Sequence, residues 1–310
     1  MANWEGIFLQ YLLKDIRFIN YEVKESKELL EFLLSTINHK GRNSIKSMLA
    51  REQIRVNGIV RTQYDFPLKV GQTVSVLKNN FAKSESELVG VKILFEDKDL
   101  IIVEKEANLL TVASNKEREN TVYTQLINYA KKVDKRNKVF IVHRLDRETS
   151  GILIFAKSEK VQNRLQNDWH NLVKERKYIA IVEGDVTKEA GTITSYLVEN
   201  EKTLKVFSTR NEKLGKKAIT HYKKIDTNGN LTKLEVQLVT GRKNQIRVHM
   251  SELGHPVVGD KKYGAKINPM KRLGLHANKI VFVHPMTNEL ISFESKIPKS
   301  FKRLMKTTKK

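Results

Sequence analysis

Val142-His143-Arg144-Leu145-Asp146-Arg147-Glu148-Thr149-Ser150-Gly151 runs straight into the apolar stretch Ile152-Leu153-Ile154-Phe155-Ala156. An apolar run entered through Thr, Ser and Gly reads as a buried strand preceded by a turn. Charge crowds the strand's entrance, where Arg144 and Arg147 flank Asp146. Neighbouring cations favour an ionised carboxylate, so a lowered pKa is expected for Asp146. Such an anion can act as nucleophile or base. Thr149, Ser150 and Gly151 offer turn hydrogen bonds and a tight backbone path. A structural Asp–Arg pair at a loop explains the same spacing.

The surrounding chain has 310 residues, with 57 Lys+Arg against 35 Asp+Glu, a formal net charge of +22 and 40% hydrophobic residues. That length and apolar content allow one large domain or two ordinary ones with a real core. With 15 Gly, 5 Pro and no repeat period, collagen-like and solenoid classes are excluded. The absence of cysteine excludes a disulfide framework, a thiolate metal site and a cysteine nucleophile. The eight histidines show neither HExxH nor another tight ligand spacing, so no metal is expected. The opening residues lack the order of a signal peptide, and no apolar stretch approaches the ~20 residues of a membrane span. A cytoplasmic protein with no membrane span is expected. The positive charge suits a polyanion, either nucleic acid or an anionic membrane surface.

Residues 1–88 carry 13 Lys+Arg against 10 Asp+Glu, and the remainder 44 against 25. Between Lys40 and Arg61, however, six basic residues meet a single acid, Glu52. Lys27 to Ile37 has the apolar stripe of a helix. Asn43 or Ser44 is positioned to cap a second helix, with Ile45, Met48 and Leu49 inward and Arg42, Lys46 and Arg51 off the stripe. Ile54-Arg55-Val56-Asn57-Gly58-Ile59-Val60 is a type I′ hairpin signal. The stretch GRNSIKSMLAREQIRVNGIVRTQYDFPLKVGQTVSV (residues 41–76) resembles the S4 RNA-binding domain. By that resemblance Arg42, Lys46, Arg51 and Arg55 would face RNA, although a merely solvated basic face has the same composition. Residues 1–78 are therefore read as an N-terminal region with a small S4-like α+β domain, and 79–88 as a polar linker.

Beyond the linker, strands are expected at Val91–Phe95, Leu100–Val103, Ile152–Ala156, Tyr178–Glu183, Leu234–Leu238 and Ile280–His284. Helices are expected at Thr121–Lys132, Lys160–Leu172 and Gln245–Leu253. Without regular βαβ alternation, residues 89–300 read as an α+β domain on a mixed, largely antiparallel sheet. Residues 301–310 read as a basic, frayed tail. Three further segments carry polar groups. ERKYIAIVEG (175–184) places Tyr178 at the head of an apolar strand, where its ring suits either a core or base stacking. GRKNQIRVHM (241–250) opens a helix, where Arg247 could pair with a carboxylate and Arg242 and Lys243 could hold phosphates. HPVVGDKKYG (255–264) and LHANKIVFVHP (275–285) are loop-like at their starts.

In order and content these segments resemble the RluA-type RNA pseudouridine synthases, of which HRLDRETSG (143–151) matches the catalytic motif. The S4-like stretch resembles that of members acting on large-subunit ribosomal RNA. The resemblance implies the pseudouridine-synthase fold and an isomerase that needs no cofactor, with RNA as partner and a monomeric state. It implies that Asp146 is the essential residue, acting at the sugar C1′ as nucleophile or at C2′ as base. Tyr178 corresponds to the ring that stacks on uracil, and Arg247 to the cation paired with the aspartate. Arg144 corresponds to the residue that fills the space of the flipped base, with His143 and Arg147 in the same RNA-facing loop. Two positions depart from the family pattern. Asn244 stands where His is common, and Lys105-Glu106-Ala107-Asn108 replaces a KPxG turn, with Asn able to take the left-handed conformation of Gly. A catalytically silent assembly factor and a transfer-RNA-modifying member are the competing expectations.

Overall fold

The computed structural model describes residues 18–37, 41–50, 53–77, 88–113 and 121–306. The chain divides into two compact units, residues 1–87 with 95–97, and residues 88–94 with 98–310.

The first unit contains β1 (Phe18–Glu22), α1 (Leu29–Thr36), α2 (Arg42–Ala50), β2 (Ile54–Val56), β3 (Ile59–Val60) and β4 (Thr73–Leu77). Its antiparallel sheet has the order β1-β4-β2-β3. Spacing decides which helix face is buried. Leu29, Leu30, Phe32 and Leu33 of α1 meet Ile45, Met48 and Leu49 of α2, over Ile54, Val56, Val74 and Val76 of the sheet. The hairpin turns on Asn57 and Gly58, both at positive φ (49° and 80°), the pair of conformations a type I′ turn requires. Helix α2 starts at Arg42, so positions 43 and 44 lie inside its first turn rather than at the N-cap position.

The second unit contains most of β5 (Val91–Glu96), then β6 (Leu100–Lys105), α3 (Val122–Val133), β7 (Phe140–Ile141), β8 (Ser150–Ala156), α4 (Glu159–Asn167), α5 (Trp169–Leu172), β9 (Val173–Glu183), β10 (Ala190–Glu199), β11 (Val206–Thr209), β12 (Lys216–Thr227), β13 (Leu231–Leu238), α6 (Gln245–Glu252), β14 (Leu275–Val283), β15 (Leu290–Glu294) and α7 (Lys299–Lys306). Its sheet runs β11-β10-β12-β13-β9-β14-β8-β6-β5, with β7 on β8 and β15 on β14. The expected α+β class with a mixed, largely antiparallel sheet is what forms. Strand β8 pairs antiparallel with β6 and parallel with β14. Every residue of β8 is buried, because both faces of the sheet are covered there. On one face Leu153, Phe155, Tyr178, Ala180, Leu234 and Val236 pack under α3 and α6. On the other, Ile179 and Ile181 pack against Phe301.

Three expectations are corrected. The span Lys160–Leu172 breaks into α4 and α5 at Asp168, whose backbone leaves helical geometry (φ −111°, ψ 27°). Strands β10, β11 and β12 occupy a stretch, between Glu183 and Leu234, to which the expected elements assigned nothing. The basic C-terminal segment is not a frayed tail up to Lys306. It is α7, which seats fully buried Phe301 under the sheet, with Leu304 and Met305 packed beside it.

Candidate active site

The entrance to β8 is fixed by backbone geometry. Gly151 has φ 121°, and a Cβ there would lie 2.1 Å from the carbonyl oxygen of Ala277, so only glycine permits the close β8–β14 approach. Behind it, Arg272 Nη2 donates to Ser150 Oγ at 2.6 Å, and Ser150 Oγ lies 2.8 Å from His276 Nδ1. His276 Nε2 lies 3.0 Å from Ser295 Oγ, which in turn donates to Glu104. In this chain of bonds Ser150 donates to a neutral imidazole. Burial, aided by Arg272, pulls the His276 pKa down to about 4.

The polar loop before β8 is clamped on its other side. Thr111 Oγ1 donates to the Leu145 carbonyl (2.9 Å) and accepts from its N–H (3.2 Å). Fully buried Lys105 donates through Nζ to the carbonyls of Glu106 (2.9 Å), Leu109 (2.7 Å) and Arg147 (3.0 Å). Three acceptors occupy the three N–H groups of an ammonium. Burial draws its pKa down to about 7, opposed by Asp146 and Glu148. The Asn108 that stands for glycine in this turn adopts φ 67°, as its side chain allows.

These restraints aim Asp146 into a cleft of about 350 Å³, lined also by Arg144, Trp169, Arg176, Tyr178, Arg242, Asn244 and Arg247. Asp146 is the single carboxylate among its described lining residues. Its side chain is 24% exposed, enough for a substrate atom to reach it. The expected lowering of its pKa does not hold. Burial raises it, Arg247 opposes the rise, and Glu148 adds to it. Arg144 and Arg147 flank Asp146 in sequence, but only Arg144 joins the cleft wall; the exposed Arg147 directs Nε to the Asn108 carbonyl (3.4 Å).

Tyr178 is buried at the cleft floor, and burial raises its pKa, with Arg176 opposing and Asp146 adding. Arg247 Nη1 lies 3.7 Å from Asp146 Oδ2 and 3.4 Å from Glu148 Oε2. Its strongest bonds go elsewhere: Nε and Nη2 grip Asp260 at 2.7 and 2.8 Å. Arg242 is exposed at the cleft, with Nε on the Lys217 carbonyl (3.0 Å). His143 also lines the cleft, but as a neutral wall residue: Nε2 accepts from the Ile154 N–H (3.1 Å), and the ring lies 5.2 Å from Trp169. Burial, together with Arg176, pulls its pKa down to about 3, so it carries no charge for a phosphate.

Asn244 is the residue whose part in the site went unread. The groups facing its amide settle its orientation, because the Asp146 oxygens can only accept. Nδ2 therefore donates to Asp146 Oδ2 (2.8 Å) and Oδ1 (3.3 Å), and Asn244 Oδ1 accepts from the Tyr263 hydroxyl at 2.9 Å. Asp260, Tyr263 and Arg176 were likewise missed as site residues; the HPVVGDKKYG segment held two of them without a local chemical signal.

In the first unit, exposed Lys46 holds Nζ 5.2 Å from the centre of the Tyr64 ring, and Arg42 is exposed. Arg55 is half-buried, with its guanidinium 4.4 Å over Phe18. Arg51 lies outside the described residues. No helix among the described residues is long and apolar enough to cross a membrane.

Comparison with known proteins bears on this geometry. The model of the RNA pseudouridylate synthase family matches residues 99–252, which include β8, the Asp146 loop and α6. The uncharacterized RNA pseudouridine synthase YhcT of Bacillus subtilis (strain 168) is 34% identical over 312 residues, covering 98% of this chain and 99% of its own. Ribosomal large subunit pseudouridine synthase D of Haemophilus influenzae is 27% identical over 284 residues, covering 86% of this chain and 87% of its own. Among solved structures, human RNA Pseudouridylate Synthase Domain Containing 4 superposes with a TM-score of 0.56 at 25% identity, over 67% of this chain and 89% of that one. Similarity along nearly the whole chain, with one carboxylate in a cation-lined cleft, means that this chain belongs to the RluA-type RNA pseudouridine synthase family, the isomerases that convert uridine to pseudouridine in RNA.

Proposed function

We propose that this enzyme isomerises uridine in large-subunit ribosomal RNA with Asp146 as its catalytic residue. The observation that carries the reading is Asp146 as the single carboxylate among the described residues lining a cleft to which Arg144, Arg176, Arg242, Arg247 and Tyr178 also contribute. In the isomerisation the N1–C1′ bond breaks and a C5–C1′ bond forms. The C5 proton leaves to solvent, and N1 gains one. An ionised Asp146 acts at the ribose, as nucleophile at C1′ or base at C2′. Buried Tyr178 offers a ring face to the uracil, and Arg247 supplies positive charge beside the carboxylate without monopolising it. A uridine stacked within folded RNA must flip out to reach this floor, and exposed Arg144 at the cleft is placed to occupy the space it leaves.

The ribosomal substrate rests on the likeness to ribosomal large subunit pseudouridine synthase D and on the first unit, whose two helices, Asn-Gly hairpin and exposed Arg42 and Lys46 fit an S4-like RNA-binding domain. We read residues 1–78 as that accessory domain, 79–88 as linker and 89–306 as the catalytic domain of a cytoplasmic monomer. Tritium release from ribosomal RNA labelled with 5-tritiated uridine tests the chemistry. Wild type releases tritium and Asp146→Ala does not; equal release from both removes the catalytic assignment. Carbodiimide-dependent reverse-transcription stops in RNA from a deletion strain test the substrate. A stop lost from large-subunit RNA is expected, and a stop lost only from transfer RNA assigns the enzyme to that substrate instead.

A further inference from the structure

We infer that Asn244, anchored by Tyr263, is the positioning residue that orients the Asp146 carboxylate for reaction, a role resting on Asp146 being the catalytic group.

Three observations converge on Asn244. The first is the distribution of donors. Both short bonds of the Arg247 fork end on Asp260, leaving Nη1 at 3.7 Å from Asp146. The Asn244 amide stands closer, with Nδ2 at 2.8 Å from Oδ2. Arg247 thus supplies long-range charge, while Asn244 supplies the short directional bond. The second is the anchoring of the amide itself. The Tyr263 hydroxyl donates to Asn244 Oδ1 at 2.9 Å and accepts from the Val206 N–H at 3.2 Å. Turning the amide would set Oδ1 against the Asp146 oxygens, so the bond to Asp146 exists in this one orientation. The third is the backbone. Asn244 begins α6 in the left-handed conformation (φ 53°, ψ 20°), which Asn tolerates better than most residues. One residue type thereby satisfies a backbone and a side-chain requirement at the same position.

The chemistry explains why a neutral donor is useful. A buried carboxylate is held back from ionising, and a hydrogen bond to the charged form opposes that. An N–H cannot accept, so a proton on Oδ2 would face a donor; the protonated acid is disfavoured there. The amide also fixes the plane of the carboxylate and leaves a lone pair of the other oxygen toward the cleft. A cation at the same distance would stabilise the ground-state anion more strongly and blunt it as nucleophile or base. Other charged or titratable groups that act on Asp146 are Arg247 on α6, Arg144 and Glu148 on its own loop, Lys105 at the end of β6, Lys262 and Tyr178. None of these is altered by a substitution at 244.

Asn244→Gly is the informative variant, because glycine keeps the positive φ and removes only the amide. In single-turnover tritium release from the full-length enzyme, kcat is expected to fall at least tenfold, with KM for RNA within about twofold. The acid limb of the kcat–pH profile should move up by about one pH unit. Asn244→His, an N–H donor also tolerated at positive φ, should recover most of the lost rate. A kcat loss with an unmoved acid limb, or wild-type kcat in the glycine variant, overturns the inference. Asp146→Ala run in parallel separates the two levels: an inactive Asp146→Ala beside a normal Asn244→Gly removes only the role of Asn244, whereas an active Asp146→Ala removes the reading beneath it. If Asn244→Gly does not fold, Tyr263→Phe decides. It should move the acid limb in the same direction by a smaller amount, and an unmoved limb overturns the inference.

Discussion

Arg247 clasps Asp260 through Nε and Nη2 at 2.7 and 2.8 Å, while Asp146 lies 3.7 Å from its third nitrogen. Asp260 has no exposed side-chain surface, so the pair is a buried support that sets where Nη1 points. Removing one partner of such a pair costs about 3–5 kcal/mol. Asp260→Asn should therefore lower the urea midpoint by that equivalent, and Arg247→Lys, which cannot fork, should cut activity at least tenfold while changing stability less than Arg247→Ala. A urea midpoint for Asp260→Asn equal to wild type would show that the fork is not structural.

Acid stability follows from imidazoles kept neutral by the fold. His249 lies between Ser195 Oγ (3.0 Å) and Thr220 Oγ1 (2.8 Å), and burial pulls its pKa down to about 4, as at His276. In the unfolded chain each titrates near 6.5. Between about pH 6.5 and 4 the unfolded state thus binds more protons, so these groups make stability fall as pH falls through that window and leave it flat above pH 7. Asp146, with its pKa raised by burial, acts with the opposite sign, since its folded form takes up a proton before the unfolded form does. The histidines outnumber it. Tm should drop from pH 7.5 to pH 5, and His276→Gln should reduce the slope; an identical slope in the variant would mean that His276 is not neutral in the fold.

Lys105 ties the Arg147 carbonyl to those of Glu106 and Leu109. Lys105→Met keeps the length and apolar stem but leaves three carbonyls short of a donor, at about 1–3 kcal/mol for each that stays buried and unmet. The expected outcome is faster amide exchange across residues 145–149 and a kcat reduced at least tenfold, with RNA affinity nearly unchanged. Unaltered exchange in that loop would show that other bonds hold it.

RNA contact by the first unit has a salt signature. Each phosphate contact contributes about 0.9 to the slope of log affinity against log salt on duplex nucleic acid and about 0.7 on single strands. Arg42→Glu combined with Lys46→Glu should weaken RNA binding and flatten that slope by one to two. A slope matching wild type would leave these two exposed residues as solvated surface.

Much of the site was legible because its groups are contiguous in the chain. Asp146 and the Thr-Ser-Gly turn lie side by side before an apolar run, and Tyr178 heads another; the cleft does bring Asp146, Tyr178 and Arg247 together. What the residues could not show was the sign of the Asp146 shift, since flanking cations are visible in a sequence and burial is not. The Asp260 and Tyr263 supports were hidden for a different reason: they act on groups 13 and 19 positions away through a fold that no local pattern encodes. Strands β10 and β12 escaped because one face is exposed and filled with Thr and Lys, which dilutes the alternation. Helix α7 was masked by its charge. Phe301, Leu304 and Met305 form a clear i, i+3, i+4 stripe among lysines and an arginine that simply cover the wet side.

The parallel pairing of β8 with β14 also governs when the enzyme can become active. Ser150 and His276 are 126 residues apart, and the turn that carries Asp146 is sealed only when Ala277 closes over Gly151. During synthesis the aspartate leaves the ribosome long before the strand that fixes it. Contacts of such long range form late and slowly. A nascent chain halted before residue 275 would carry Asp146, Tyr178 and Arg247 and still lack the strand that seals the turn before β8, so the cleft waits on the synthesis of residues 275–277.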